Sequence, residues 1–158
     1  MDAFDADVLI YAAVAGHELG KRVRVLFPSS PVDGSSTADD TSPTVHRVGS
    51  ILLLPELLSK PMRDRATNEL AEFGALLGRL DLRPVDQAIA ELATALAAAY
   101  ALRAIDAVHL ATAVNAGADR FITNNSKDFS KAIVEIDITY PADLPDPDPT
   151  AYSRQKAR

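Results

Sequence analysis

The sequence predicts an α/β domain with a mostly parallel central sheet. Short apolar runs typical of buried strands alternate with longer segments whose apolar residues recur every three or four positions, as on one face of a helix. The 158 residues are about the length of one domain, and a hydrophobic fraction of 47% is sufficient for a packed core. Alternation of this kind is typical of parallel sheets, because the crossover between two parallel strands is usually a helix.

Three elements are expected in the first part of the chain. A strand within residues 3–11 runs into a helix that ends near residue 15, and residues 22–27 form a helical or extended apolar segment. The apolar run at 51–54 leaves two interpretations open. Either it is a buried strand and Pro55 occupies the first position of the next helix, or Ser50 caps a helix that Pro55 kinks.

In both interpretations Pro61 ends that helix, since an interior proline removes a backbone hydrogen bond. Apolar spacings of three and four then predict helices over 64–80, 84–102 (with Pro84 first) and 104–116. Two further strands are expected at 119–123 and 133–136, separated by an Asn-rich turn.

The predicted domain covers residues 1–140. Residues 28–44 consist almost entirely of turn-forming residues, so we expect a flexible inserted loop there. Residues 141–158 are rich in proline and aspartate, and we expect them to form a surface tail.

Composition and charge exclude several classes of protein. The net charge of −6, from 16 basic and 22 acidic residues, argues against polyanion binding driven by bulk charge. The absence of cysteine excludes a disulfide framework and a thiolate metal site. The acidic N-terminus does not resemble a signal peptide, and the longest uncharged apolar run is shorter than the roughly 18 residues that cross a bilayer. We therefore expect a cytoplasmic protein with no membrane partner.

Acidic and amide side chains follow the predicted strands or open the next helices. Asp5 follows the first strand, Glu56 the run at 51–54, and Asn125 the strand at 119–123, while Asp106 opens a helix. Ligands of open α/β sheets bind at the carboxyl ends of the strands, so these side chains can converge. Clustered carboxylates repel one another unless a cation neutralises them, and an all-oxygen set suits Mg²⁺ or Mn²⁺.

The chain resembles the PIN-domain ribonucleases, and within them the VapC-like toxins of toxin–antitoxin pairs. Four segments carry the resemblance, in the family's order: FDADVLIYA, SILLLPELLSKP, AIDAVHLATAVNAGADRFITNN and SKDF. They cover roughly residues 3–15 and 48–130, and the third segment is the most specific. The resemblance implies a PIN-like three-layer α/β/α sandwich.

The resemblance also implies roles for individual residues. Asp5, Glu56 and Asp106 match the acidic positions that hold one or two Mg²⁺ or Mn²⁺ ions and activate water to cleave RNA phosphodiester bonds. Thr123 matches a threonine that shapes the metal pocket. The fourth acidic position is Asn125, an uncharged ligand at best, and Asp128 is a weaker candidate to replace it. The implied partners are an RNA substrate, a small antitoxin protein and a second copy of the chain.

Each assignment has a purely structural alternative. Asp5 and Asp106 can cap or complement helix N-termini, Glu56 can be an acidic residue of a first helical turn, and Asn125 an ordinary turn residue. Asp7 is a candidate outer carboxylate of the site. His109, three residues after Asp106, is expected to be a hydrogen-bonded structural histidine rather than a metal ligand or proton shuttle.

Two alternative functions compete with a metal-dependent endoribonuclease. The Asp5-Ala6-Asp7 pattern is similar to that of haloacid dehalogenase phosphatases, but Leu9 occupies a position where those enzymes have Thr or Val, and a late Gly-Asp-x-x-x-Asp motif is missing. The stronger alternative is a non-catalytic PIN-like module that binds RNA or a protein partner. The three retained carboxylates favour the nuclease.

Overall fold

The computed structural model describes residues 1–28 and 46–147. Within these ranges strands and helices alternate as the sequence predicts. The strands are β1 (Asp2–Phe4), β2 (Arg47–Ser50), β3 (Asp81–Arg83), β4 (Arg120–Ile122) and β5 (Asp137–Thr139). The helices are α1 (Ala6–Ala13), α2 (Glu18–Arg24), α3 (Leu53–Asp64), α4 (Thr67–Leu77), α5 (Gln87–Tyr100) and α6 (Ala104–Asn115), and a 3-10 turn follows at Pro141–Asp143.

The described strands form one parallel sheet in the order β3-β2-β1-β4-β5. β1 is central: Ala3 lies opposite Val48 of β2 on one side and Phe121 of β4 on the other. This order confirms the expected parallel sheet. It also places the carboxyl ends of β1, β2 and β4 side by side, because neighbouring parallel strands lie only about 4.8 Å apart.

Alternate strand residues enter two separate hydrophobic cores. Ala3 and Phe121 pack with residues of α5 and α6. Phe4 and Ile122, the next residue along each strand, pack with residues of α1, α2, α3 and α4. Because successive side chains of a strand point to opposite faces, the sheet lies between two layers of helices. The expected α/β/α architecture is confirmed.

The start of α3 differs from both interpretations of residues 51–54. β2 ends at Ser50, and the helix begins at Leu53, inside the apolar run. Pro55 is therefore the third helical residue, where the missing N–H has no partner within the helix to lose. The Ser50 hydroxyl accepts a hydrogen bond from the backbone N–H of Leu52 at 3.2 Å, which supports the chain as it enters the helix.

The expectation that Pro61 ends this helix is wrong. Pro61 lies inside α3, which continues to Asp64 and ends where Arg65 adopts the left-handed region with φ of 55°. The proline ring is buried, so packing offsets the backbone hydrogen bond that it cannot make.

Residues 84–86 are not helical. The Asp86 carboxylate accepts a hydrogen bond from the N–H of Ile89 at 2.9 Å and caps α5, so the expected helix over 84–102 starts three residues late. The helix expected over 64–80 is shorter at both ends, and β3, which follows it, was not predicted. Only Leu82 of β3 is partly buried, so this edge strand lacks the apolar signal of the inner strands.

The first and last strands are also shifted. β1 spans Asp2–Phe4, so the strand expected within 3–11 ends early and α1 already begins at Ala6. The last strand lies at Asp137–Thr139 rather than at 133–136, where Ile133 and Ile136 enter the core from a non-strand segment.

The segment expected to be a surface tail packs against the domain at its beginning. Pro141 and Leu144 are buried, and the Arg22 guanidinium donates hydrogen bonds to the carbonyls of Ala142 and Leu144, each at 2.9 Å. The remainder of that segment, residues 148–158, and the expected loop from 29 to 44 lie outside the described residues.

Among the described residues, no single helix is long and apolar enough to cross a membrane. α5 and α6 satisfy the length and composition criteria when taken together, but they are bent by 117° relative to each other.

Gly20 in α2 tests how closely this helix packs against α1, and Gly74 in α4 serves as a control. A Cβ atom at Gly20 would lie 2.0 Å from the carbonyl oxygen of Tyr11, a backbone atom that cannot move aside without displacing α1. We expect Gly20→Ala to lower the free energy of unfolding by about 1–3 kcal/mol, measured by urea denaturation.

Gly74→Ala is the control, because a Cβ there meets no atom of the described residues within 4 Å and the position is inside a helix. This substitution should raise the free energy of unfolding by about 0.5–1 kcal/mol. Equal effects of the two changes would contradict the close approach of α1 and α2.

Candidate active site

Asp5 lies at the junction of β1 and α1, at the carboxyl end of the central strand. Its carboxylate accepts hydrogen bonds from the N–H of Ala6 at 2.8 Å and from the Thr123 hydroxyl, just beyond β4, at 2.7 Å. The residue is 5% exposed, and burial raises the pKa of the carboxyl above its usual value while the Thr123 hydrogen bond opposes that rise. The site therefore contains a buried acid that water does not solvate.

Asp7 provides a second carboxylate on the first turn of α1. One of its oxygens accepts the N–H of Asn124 at 3.0 Å. The other oxygen, Oδ1, is buried and has no hydrogen-bond partner among the described residues. Burial, followed by the nearby Asp5 carboxylate, raises the pKa of Asp7 to about 7. A buried oxygen without a donor is an available ligand position for a cation.

Asp106 lies in the first turn of α6 and is 6% exposed. The Arg103 guanidinium, three residues earlier, donates to its Oδ2 at 3.0 Å. The Asp106 carboxylate also raises the pKa of Asp5, which places the two acids within electrostatic range of each other. Asp106 therefore belongs to the same acidic site.

Glu56 lies near the start of α3 and bonds to a histidine of α6. Its Oε2 is 2.6 Å from Nε2 of His109, which is only 2% exposed. The other ring nitrogen, Nδ1, is buried and has no hydrogen-bond partner among the described residues. His109 is hydrogen-bonded as expected, but its partner is one of the expected metal ligands.

Asn125 and Asp128 bond to each other beyond β4. The Asn125 side-chain amide donates to Asp128 at 2.8 Å, and its carbonyl oxygen accepts the Asp128 N–H at 3.3 Å. Asp128 also lies 3.7 Å from an Arg103 nitrogen, so it is linked to Asp106 through the guanidinium. The backbone N–H of Asn125 donates to the Thr123 hydroxyl at 3.1 Å, which connects this turn to Asp5.

The structure thus brings the sequence-predicted residues to one edge of the sheet, and the donor set is compatible with a hard divalent cation. The candidate ligand atoms are all oxygens, and one of them, Asp7 Oδ1, is buried without a partner among the described residues. In the part of the chain that is described, no three Asp, Glu or His side chains stand close enough to hold an ion without moving. Glu56 and Asp106 are each bonded to a basic side chain instead.

Sequence reasoning did not identify Arg103 as a residue of the site. The available signal was its spacing, since residues three apart on a helix are neighbours and Arg103 precedes Asp106 by three. The link between Glu56 and His109 joins residues 53 positions apart. It depends on how α3 packs beside α6, which no local pattern encodes.

Comparison with known proteins identifies one family. The family model for the PIN domain matches residues 3–134 of the chain. Comparison with curated protein sequences finds no match.

Three solved structures share the fold. A toxin-antitoxin complex from Klebsiella pneumoniae has a chain 24% identical, covering 89% of this chain and 98% of that one, with a TM-score of 0.66. VapBC2 from Rickettsia felis, bound to a DNA fragment from its promoter, is 14% identical over 88% of this chain and 97% of that one (TM-score 0.65). FitAB bound to an IR36 DNA fragment is 18% identical, covering 92% of this chain and 98% of that one (TM-score 0.59).

Asp7 gives the site a measurable effect on stability in metal-free buffer. Its pKa of about 7 in the folded chain lies above the ordinary value of 3.8, so ionisation costs more free energy in the folded than in the unfolded state. The protein should lose stability from this group as the pH rises from about 4 to 7. Asp7→Asn keeps an acceptor for Asn124 but carries no charge.

We therefore expect Asp7→Asn to become more stable relative to the unsubstituted protein as the pH rises through this window, by up to about 4 kcal/mol above pH 7. Urea denaturation with EDTA at several pH values measures the difference. A stability difference that does not change with pH would show that ionising Asp7 requires the same free energy in the folded and unfolded states.

Proposed function

The chain belongs to the PIN domain family, and we propose that it is a metal-dependent endoribonuclease, the toxin of a toxin–antitoxin pair. The observation that carries the proposal is the burial of two carboxylates, Asp5 and Asp106, beside Asp7 and Glu56 at the carboxyl edge of the sheet. Asp5 and Asp7 form no ion pair with a basic side chain of the described residues, and burying such carboxylates destabilises a protein. A bound cation would stabilise this edge.

Asp5, Glu56 and Asp106 are the proposed metal ligands and catalytic residues. Asn125 and Asp128 are weaker candidates, because each already has the other as a hydrogen-bond partner. A bound Mg²⁺ or Mn²⁺ supplies positive charge at the scissile phosphate and activates water for its hydrolysis. Thr123 orients the Asp5 carboxylate through its 2.7 Å hydrogen bond, and His109 holds the Glu56 carboxylate at 2.6 Å.

The alternative is a PIN-like module that binds RNA or a protein without cleaving it. The burial of Asp5 and the raised pKa of Asp7 argue against this function. A binding surface gains nothing from keeping buried acids that repel one another, whereas metal-dependent hydrolysis needs them. A cytoplasmic location agrees with an RNA substrate and with the absence of cysteine.

A small antitoxin is the proposed protein partner. The structurally similar chains include one from a toxin-antitoxin complex. Two adjoining surface pockets between α1, α3 and α4 share Ile10, Glu69 and Phe73 and form one channel. One pocket also includes Val14 and Glu72, and the other includes Leu57, Lys60 and Glu56. Ile10 is 43% exposed and Val14 51% exposed, and both line the same pocket, so they form one exposed apolar patch. An apolar segment of the antitoxin that fills this channel would reach the acidic site and block it.

A homodimer is implied by the resemblance to VapC-like toxins. Sedimentation velocity should give twice the mass of a single chain at micromolar concentration, and a monomer at every concentration would contradict a dimer.

Cleavage of a mixed RNA pool tests the nuclease directly. We expect cutting in Mn²⁺ or Mg²⁺ and none in EDTA. Asp5→Asn and Asp106→Asn should each reduce the rate at least about a hundredfold, because each removes a charged ligand of the ion. Circular dichroism should show that both variants keep their helices.

Asp64→Asn is the matched control for these variants. It removes one carboxylate from an exposed position on α3, where Asp64 pairs with Lys60 and Arg63, and should leave the rate within about twofold. Metal-dependent cutting that survives in both Asp5→Asn and Asp106→Asn would place the chemistry elsewhere. Absence of both cutting and Mn²⁺ binding would favour the non-catalytic module.

A negative charge added at Ile10 in this channel tests the antitoxin surface. We expect Ile10→Asp to cleave RNA at the normal rate but to escape inhibition by a co-expressed candidate antitoxin, because the partner would have to bury an unpaired carboxylate. Ala95→Asp, on the exposed side of α5 beyond the opposite face of the sheet, is the control and should remain inhibited. Full inhibition of Ile10→Asp would show that the antitoxin binds elsewhere.

A further inference from the structure

Arg103 lies over the acidic edge of the sheet, immediately before α6. Its Nε donates to Asp106 Oδ2 at 3.0 Å, and its Nη2 lies 3.7 Å from Asp128 Oδ2. The guanidinium thus bridges one carboxylate at the start of α6 and another in the turn beyond β4. It occupies the position of a counter-ion between two candidate metal ligands.

The two sides of this bridge differ greatly in exposure. The Asp106 side chain is 9% exposed and fixed in the first turn of α6, whereas the Arg103 side chain is 74% exposed. The guanidinium end of this pair is weakly held, because water solvates it well when it leaves. The carboxylate is therefore held in place while the arginine is free to exchange for another cation.

We propose that Arg103 is the contact for an RNA phosphate in this site, and that its guanidinium serves as the counter-ion of Asp106 and Asp128 until a divalent cation replaces it. The proposal rests on the metal-dependent function above. Once replaced, the guanidinium stays tethered about one turn of helix from Asp106, within reach of a phosphate that binds to the metal ion there.

The chemistry of the side chain favours this assignment. A guanidinium presents a planar fork of donors that matches two phosphate oxygens, and it is always charged. The protein carries a net charge of −6, so an RNA backbone approaching the acidic edge is repelled unless cations are held there. A released Arg103 provides a second positive charge beside the bound ion.

Mn²⁺ titration by calorimetry, without RNA, tests the exchange. Arg103→Gln removes the competing cation, so we expect Mn²⁺ to bind about two- to fivefold more tightly. Arg103→Lys keeps the charge and should remain close to the unsubstituted protein. Arg83→Gln is the control, because Arg83 is a half-exposed arginine paired with Asp81 at 2.7 Å on the edge strand β3, two strands from β1.

Stopped-flow anisotropy tests the phosphate contact. The probe is a fluorescein-labelled 20-nucleotide single-stranded RNA of mixed sequence, and binding is measured in Mn²⁺ and in EDTA before cleavage begins. In Mn²⁺, Arg103→Gln should weaken RNA binding about five- to tenfold, since it removes a charge-assisted pair with a phosphate. In EDTA the loss should be under twofold, because Arg103 is then held by Asp106 and Asp128. Arg83→Gln should weaken RNA binding by less than twofold in both buffers.

Unchanged or weaker Mn²⁺ binding by Arg103→Gln would overturn the counter-ion role. An equal loss of RNA binding with and without Mn²⁺, or no loss, would overturn the phosphate contact. Neither measurement requires turnover. If both expected results are obtained and the unsubstituted protein cuts no RNA, the nuclease assignment fails while the exchange at Arg103 stands.

Discussion

The parallel pairing of β1 with β4 is the constraint on which the site depends. It brings Asp5 within 2.7 Å of the Thr123 hydroxyl, although the two residues are 118 positions apart in the chain. Asp5 also caps α1, because its carboxylate accepts the N–H of Ala6, so the pairing of β1 with β4 and the start of α1 meet at this residue. Both cores meet this pair of strands, so the position of the buried acid is fixed by the packing of the whole sheet.

Fixing acids in this way costs stability, and the fold reduces the cost with basic and polar neighbours. Arg103 bonds to Asp106, His109 bonds to Glu56, and Thr123 bonds to Asp5. Asp7 keeps a buried oxygen without a hydrogen-bond partner among the described residues, and burial together with the Asp5 carboxylate holds its pKa near 7. In the proposed function, a divalent cation binds this acidic edge more strongly than these side chains do. The buried carboxylates therefore lower the stability of the metal-free protein while they serve its proposed activity.

Much of this arrangement was predictable from the sequence, because it follows from local patterns. The alternation of strands and helices gave the α/β class. The positions of Asp5 and Asp106 relative to a strand and a helix predicted where they would lie. The helix at 104–116 was predicted almost to the residue, since apolar spacing and Gly117 define it. Family membership was visible in the segment around Asp106 for the same reason: its motif is contiguous.

What the sequence did not predict depends on tertiary contacts. β3 is an exposed edge strand with one partly buried residue, so it lacks the apolar pattern of a strand. Pro61 was expected to end α3, but the packing of its ring sustains the helix to Asp64. The bond between His109 and Glu56 joins two helices that only the folded sheet brings together. These are cases in which packing overrides local preference.

The central claim is that the acidic edge holds a divalent cation, and crystals soaked in Mn²⁺ test it most directly. We expect an anomalous scattering peak about 2.2 Å from carboxylate oxygens of Asp5 and Asp106, with the Arg103 guanidinium turned away from Asp106. A map with no peak at that edge under saturating Mn²⁺, with Arg103 still bonded to Asp106, would contradict it.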